Sequence, residues 1–136
     1  MTRLFHHAAV GIVINSEQQI LISKRPSHKL KGGYWEFPGG KIEEQETPSN
    51  ALIRELQEEI GIEVKAVEPW MQYQYSYNDE AYDVLLEVFL VREFLGSPKA
   101  LEEQEILWIN MADFDKFNFL EPNRFIIKKI MNDYLQ

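Results

Sequence analysis

Apolar and polar positions along the chain fall into short runs with changing periods. Residues 5–15 are almost continuously apolar through Ala8, Val10, Ile12, Val13 and Ile14, which predicts a buried strand. Residues 16–18 turn the chain, and 19–24 alternate apolar with polar, a second strand. A loop at 26–33 follows, within a basic cluster of Lys24, Arg25, His28, Lys29 and Lys31. A short strand is expected at 34–37, broken by Pro38-Gly39-Gly40. Thr47 then reads as a helix N-cap, with Pro48 in the first helical position. Leu52, Leu56 and Ile60 give that helix an apolar stripe, flanked by Ala51 and Ile53, and Gly61 ends it. Residues 64–77 and 82–94 are aromatic and β-branched and read as a long hairpin turning at 78–80. A glutamate-rich loop begins at 96, a short strand covers 106–109, and Ile126, Ile127, Ile130, Met131 and Tyr134 mark a closing helix over 123–135. Strands, helix, strands and helix in this order predict an α+β sandwich: a mixed sheet with helices packed on it.

Composition narrows the class. A chain of 136 residues that is 45% hydrophobic and 26% charged fits one globular domain, taken as 1–136, with enough bulk for a core. The absence of cysteine rules out disulfides and thiolate metal ligation. The first residues carry no basic run leading into an apolar stretch, and no apolar run is long enough for a bilayer, so a cytoplasmic protein without membrane contact is expected. The net charge of −8 repels nucleic acid and polyphosphates at long range. A phosphate substrate would therefore need a positive mediator, and a divalent cation on clustered carboxylates is the obvious one. His6, His7 and His28 show no ligand spacing. His6 and His7 read as strand-end residues and His28 as loop.

The candidate cluster is on the first helix. Glu55, Glu58 and Glu59 stand at i, i+3 and i+4, which places them on one helix face beside the apolar stripe. Like charges at these spacings repel by roughly a few tenths of a kcal/mol per pair, and a hard cation would relieve that repulsion. By itself an acidic helix face reads as solvated surface, with Arg54 pairing Glu58. The wider spacing overturns that reading. Gly40, Glu46, Arg54-Glu55-Leu56, Glu58-Glu59 and Gly61-Ile62 fill nine constrained positions across 23 residues.

This pattern resembles the signature of the Nudix family, whose domain would cover nearly the whole chain. The resemblance implies an α/β/α sandwich with helices on both faces of a mixed sheet. It implies an enzyme that hydrolyses a nucleoside diphosphate linked to another group, using magnesium or manganese. By the same resemblance Glu58 and Glu59 are the principal metal ligands and Glu55 a further ligand or base. The Gly39 carbonyl reaches the metal, Arg54 orients the glutamates, and Glu46 is its structural partner. Glu102, two residues before Gln104 in the loop leading to Trp108, matches a glutamate that approaches the metal. The proton acceptor is Glu55, Glu59 or Glu102.

Residues 35–43 are close to those of MutT-type members, which hydrolyse 8-oxo-dGTP to the monophosphate and pyrophosphate and so protect replication fidelity. That likeness implies nucleotide contacts from Arg25 and from the run Glu36-Phe37-Pro38-Gly39, with Phe37 near the base. It implies that Asn123 hydrogen-bonds the oxidised guanine. The bland readings are a surface arginine for Arg25, core for Phe37 and a helix cap for Asn123. Where some such members carry an arginine in the second hairpin strand, this chain has Tyr82-Asp83-Val84. The expected partner is a small nucleotide rather than a nucleic acid polymer, and a monomer is expected. ADP-ribose or a dinucleoside polyphosphate is the alternative substrate. A catalytically silent domain ranks below both, since Glu55, Glu58 and Glu59 are all present.

Overall fold

In the computed structural model, residues 4–77 and 82–134 are described. They form seven strands, two α-helices and a 3-10 turn: β1 Leu4–Val13, β2 Gln19–Lys24, β3 Trp35–Glu36, β4 Gly39–Lys41, α1 Pro48–Ile60, β5 Glu63–Tyr77, β6 Tyr82–Leu95, β7 Glu105–Asn110, the turn Met111–Lys116, and α2 Glu121–Tyr134. The strands make two sheets, ordered β4-β1-β6-β5 and β3-β2-β7. The first is mixed: β1 runs parallel to β6, pairing Val10 with Val88, and antiparallel to β4. Pro69 is tolerated in β5 because that strand lies at the sheet edge, where a missing N–H breaks no second ladder. The tip of the expected hairpin, 78–80, and Leu135 at the end of the closing helix lie outside the described residues.

Two apolar cores flank the mixed sheet, as the alternation of β1 requires. Ala9 and Val13 face α1, against Leu52, Leu56 and Ile60, each fully buried. Val10 and Ile12 face the other way, into a core built with Ile22, Phe37, Val88, Ile126 and Ile130. Burying each large side chain of the α1 stripe contributes roughly 1.5–3 kcal/mol, and Leu56→Ala would cost roughly 2–5 kcal/mol. The ends of α1 follow the sequence reading. Thr47 Oγ1 accepts from the Asn50 N–H at 3.1 Å, and Gly61 adopts φ 70° while its N–H donates to the Gln57 carbonyl.

Three local expectations need correction. Pro38-Gly39-Gly40 does not simply end a strand. The chain leaves β3 at Phe37 and begins β4 at Gly39, in the other sheet, so these residues carry it across the sandwich. The closing helix begins at Glu121 rather than Asn123, since Pro122 fits a first helical turn, where no N–H is needed. His6 and His7 lie within β1 rather than at its end, and His7 Nε2 is 2.8 Å from Glu87 Oε2 on β6.

Candidate active site

The segment that crosses between sheets is pinned along its length. The Phe37 N–H donates to Asn123 Oδ1 at 3.1 Å, Pro38 O accepts from Gly11 N–H at 2.8 Å, and the Gly39 N–H donates to Glu59 Oε2 at 3.3 Å. Only glycines fit next. A Cβ on Gly39, whose φ is 153°, would stand 2.1 Å from the Ala9 carbonyl oxygen, and one on Gly40 would stand 2.3 Å from the carboxyl carbon of Glu55. The close approach of this backbone to two glutamates of α1 is therefore written into the sequence as Gly-Gly.

A cavity of about 430 Å³ opens here. Its wall includes Arg25, Glu36, Phe37, Gly39, Glu55, Glu59, Glu102 and Asn123, which collects most of the residues singled out from sequence. Burial pushes the Glu59 carboxyl up to about 8, and the facing carboxylates of Glu36, Glu55 and Glu102 add to the effect. Burial also raises Glu55 and Glu36, against the opposing pull of Arg54 on the first and Arg25 on the second. Glu36, Glu55 and Glu59 thus converge on one wall where burial and mutual repulsion favour their neutral forms, and Glu102 lines the same cavity.

Arg54 stands behind this wall. Its guanidinium grips Glu46 with two bonds, Nε to Oε2 at 2.7 Å and Nη2 to Oε1 at 2.9 Å. It also reaches Glu55 at 2.9 Å, the Lys41 carbonyl at 3.1 Å and Glu58 at 3.3 Å. The fork geometry holds Glu46 well below the usual carboxylate range, at about 2, and Glu43 N–H assists. Arg54 thereby ties the loop before α1 to the helix and turns Glu55 toward the cavity. Glu58 is the outlier. Its side chain is 53% exposed and leans on Arg54, off the cavity wall, because positions 55 and 59 share one stripe of α1 and 54 and 58 the next.

Phe37 is 3% exposed and packs on Phe114 and Phe119, so it is core as well as cavity floor. Asn123 is buried and lies inside α2. It braces Phe37 rather than capping the helix. One residue escaped the sequence reading. Gln104 is buried, donates through Nε2 to the Glu59 carbonyl at 2.9 Å and accepts from the Glu102 N–H at 2.8 Å. It fixes the Glu102 loop to the end of α1. A lone glutamine in an acidic loop was the available signal.

Among the described residues no three His, Asp or Glu side chains are gathered tightly enough to hold a metal ion as they stand. The donor set nevertheless suits a hard divalent cation. It is all oxygen, mutually repelling and open to water, and magnesium keeps several waters and completes its shell with substrate phosphates.

The mixed-sheet sandwich sets a carboxylate wall against an open cavity, an arrangement able to hold a hard cation beside a bound ligand. A NUDIX domain family model matches residues 5–134, and the chain belongs to that family. It is 33% identical over 133 residues to an 8-oxo-dGTP diphosphatase of Haemophilus influenzae, covering 98% of this chain and 96% of that one. It is 34% identical over 122 residues to the 8-oxo-dGTP diphosphatase of Escherichia coli, covering 90% and 93%. A solved MutT structure, from work on the Aliivibrio salmonicida and Vibrio cholerae proteins, superposes with a TM-score of 0.83 at 37% identity, covering 96% of this chain and 99% of the other. The sandwich expected from sequence is thus the observed fold. No helix among the described residues is long and apolar enough to cross a membrane.

Proposed function

We propose that this protein hydrolyses 8-oxo-dGTP to 8-oxo-dGMP and pyrophosphate, as a cytoplasmic monomer acting on free nucleotides. The observation that carries the reading is one cavity shared by both groups. Glu55, Glu59 and Glu102 line it together with Phe37 and Asn123, so a purine held at Asn123 would bring its phosphates toward the carboxylates. Glu55, Glu59 and the Gly39 carbonyl would hold magnesium or manganese, with Glu58 swinging from Arg54 to join them. The cation, when bound, neutralises phosphate charge and acidifies water. Glu102 stands on a separate loop and takes the proton of the attacking water. The Phe37 N–H occupies Asn123 Oδ1, which leaves the amide N–H₂ to donate to a purine carbonyl.

The test is chromatographic separation of the products formed from a panel of 8-oxo-dGTP, the ordinary deoxynucleoside triphosphates, ADP-ribose and a dinucleoside polyphosphate, with and without magnesium or manganese. The expected result is cation-dependent release with 8-oxo-dGTP favoured over dGTP in kcat/KM. Preference for dGTP or ADP-ribose overturns the substrate, and turnover that survives a chelator overturns the cation's role.

A further inference from the structure

The loop 26–33 forms another stretch of the cavity wall, through Pro26, Lys29, Leu30 and Lys31. It is tightly braced. Lys29 N–H donates to the Pro26 carbonyl at 3.1 Å, Gly32 N–H to the Lys29 carbonyl at 2.9 Å, and Gly33 N–H to the Arg25 carbonyl at 2.9 Å. A side chain at Gly32 would collide with the Pro26 carbonyl oxygen, 2.4 Å from its Cβ.

Arg25 braces this loop. Its Nε donates to the Leu30 carbonyl at 2.9 Å, and its Nη1 lies 3.4 Å and 3.5 Å from the two oxygens of Glu36. The guanidinium that lines the cavity thus also holds the loop in place. Lys29, by contrast, is exposed on the cavity rim. It lines the same cavity as Glu36 and Glu59. A chain of net charge −8 repels a polyphosphate on approach, and a local cation at the mouth offsets that field. An ammonium on a flexible stem suits phosphate oxygens as a point charge.

We propose that Lys29 binds the terminal phosphates of the nucleotide, the part released as pyrophosphate, and that Arg25 is a positioning residue that holds the loop so that Lys29 faces the cavity. This rests on the reading that the substrate is a nucleoside triphosphate.

The experiment compares wild type, Lys29→Ala, Lys29→Arg and Arg25→Lys in steady-state hydrolysis of the best triphosphate at two ionic strengths. Inhibition by inorganic pyrophosphate and by the nucleoside monophosphate product is measured in parallel. Lys29→Ala should raise KM about tenfold with kcat held within about twofold, as expected for losing a charge-assisted contact made equally in ground and transition states. Pyrophosphate inhibition should weaken by a similar factor, and monophosphate inhibition should not change. Lys29→Arg should recover most of the loss, and the salt dependence of KM should be shallower in Lys29→Ala. Arg25→Lys, which keeps the charge but loses the fork, should raise KM in the same direction. An unchanged KM in Lys29→Ala overturns the proposal. So does equal weakening of both products, which would place Lys29 at the nucleoside end. If wild type hydrolyses no triphosphate, the function reading fails on its own, and calorimetric binding of pyrophosphate with magnesium to wild type and Lys29→Ala still decides the role of Lys29.

Discussion

Glu59→Gln replaces one carboxylate oxygen with an amide of the same size, at the point where the site's charges crowd most. In the cation-free protein the Glu59 carboxyl is pushed from 4.5 to about 8, first by burial and then by Glu36, Glu55 and Glu102. A carboxyl raised in this way keeps its proton longer in the folded state than in the unfolded chain. Between pH 4.5 and about 8 the folded protein then holds more protons, so its stability falls as pH rises. Below that window the penalty is absent, and above it the penalty is complete. At about 1.36 kcal/mol per unit, the gap sets a ceiling of roughly 4–5 kcal/mol. Water in the open cavity and relaxation of the facing carboxylates reduce the expectation to roughly 1–3 kcal/mol. The assay is urea unfolding in chelator from pH 5 to 9, wild type against Glu59→Gln. The variant should match wild type at the acid end and become progressively more stable toward the alkaline end. With magnesium restored its turnover should be lower by roughly two or more orders of magnitude. A variant that is more stable and nearly inactive is the signature of a site built from mutually repelling ligands. Parallel stability curves, or near-normal magnesium-dependent turnover, would refute the reasoning.

Arg54→Ala should need roughly 10–100-fold more magnesium for half-maximal rate, because Glu46, Glu55 and Glu58 all lose their common partner; a metal titration of activity checks this. Glu46 is lowered to about 2, so the stability advantage of wild type over Glu46→Gln should be full above about 4.5 and disappear as pH falls through about 2, as acid unfolding curves will show. Asn123→Ala strands the buried Phe37 N–H and should cost about 1–3 kcal/mol in chemical denaturation, while the kcat/KM ratio of 8-oxo-dGTP to dGTP falls. Loss of stability with an unchanged ratio would reduce Asn123 to a brace. Gln104→Ala should lower kcat by about tenfold or more, since it frees the Glu102 loop from α1, and should lower the melting temperature because the Glu59 carbonyl and the Glu102 N–H lose their partner.

The parts of the site governed by local rules could be read directly from the chain. Thr47, Pro48 and Gly61 set the limits of α1, and the 3.6-residue period placed Glu55 and Glu59 together beside Leu52 and Leu56. The same period does not say which way the helix is rotated against the sheet, so it grouped Glu58 with a cavity that Glu58 does not line. That rotation is decided by packing on Ala9 and Val13, some forty residues away in the chain. The hydrogen bonds of Asn123 and Gln104 span 86 and 45 residues, and no pattern within a short window encodes them. Arg25 illustrates the same limit. Its place beside the site was legible, but its engagement with the Leu30 carbonyl depends on a loop conformation that composition does not specify.

If Asn123 reads the base and Glu59 holds the cation, as proposed, the crossing from β3 to β4 makes recognition and hydrolysis parts of one lever. Phe37 is bonded to α2 through Asn123, and Gly39, two residues on, is bonded to Glu59 on α1. Pro38 is the fulcrum between them, held to β1 through Gly11. On that reading, a base that displaced Asn123 would also displace, through this short pinned segment, the backbone bonded to Glu59. Discrimination would then have a second stage without extra contacts, because a poorly fitted base would be penalised in turnover as well as in binding. A variant that loosens the fulcrum without touching either end would uncouple the two stages, accepting more bases while hydrolysing all of them more slowly.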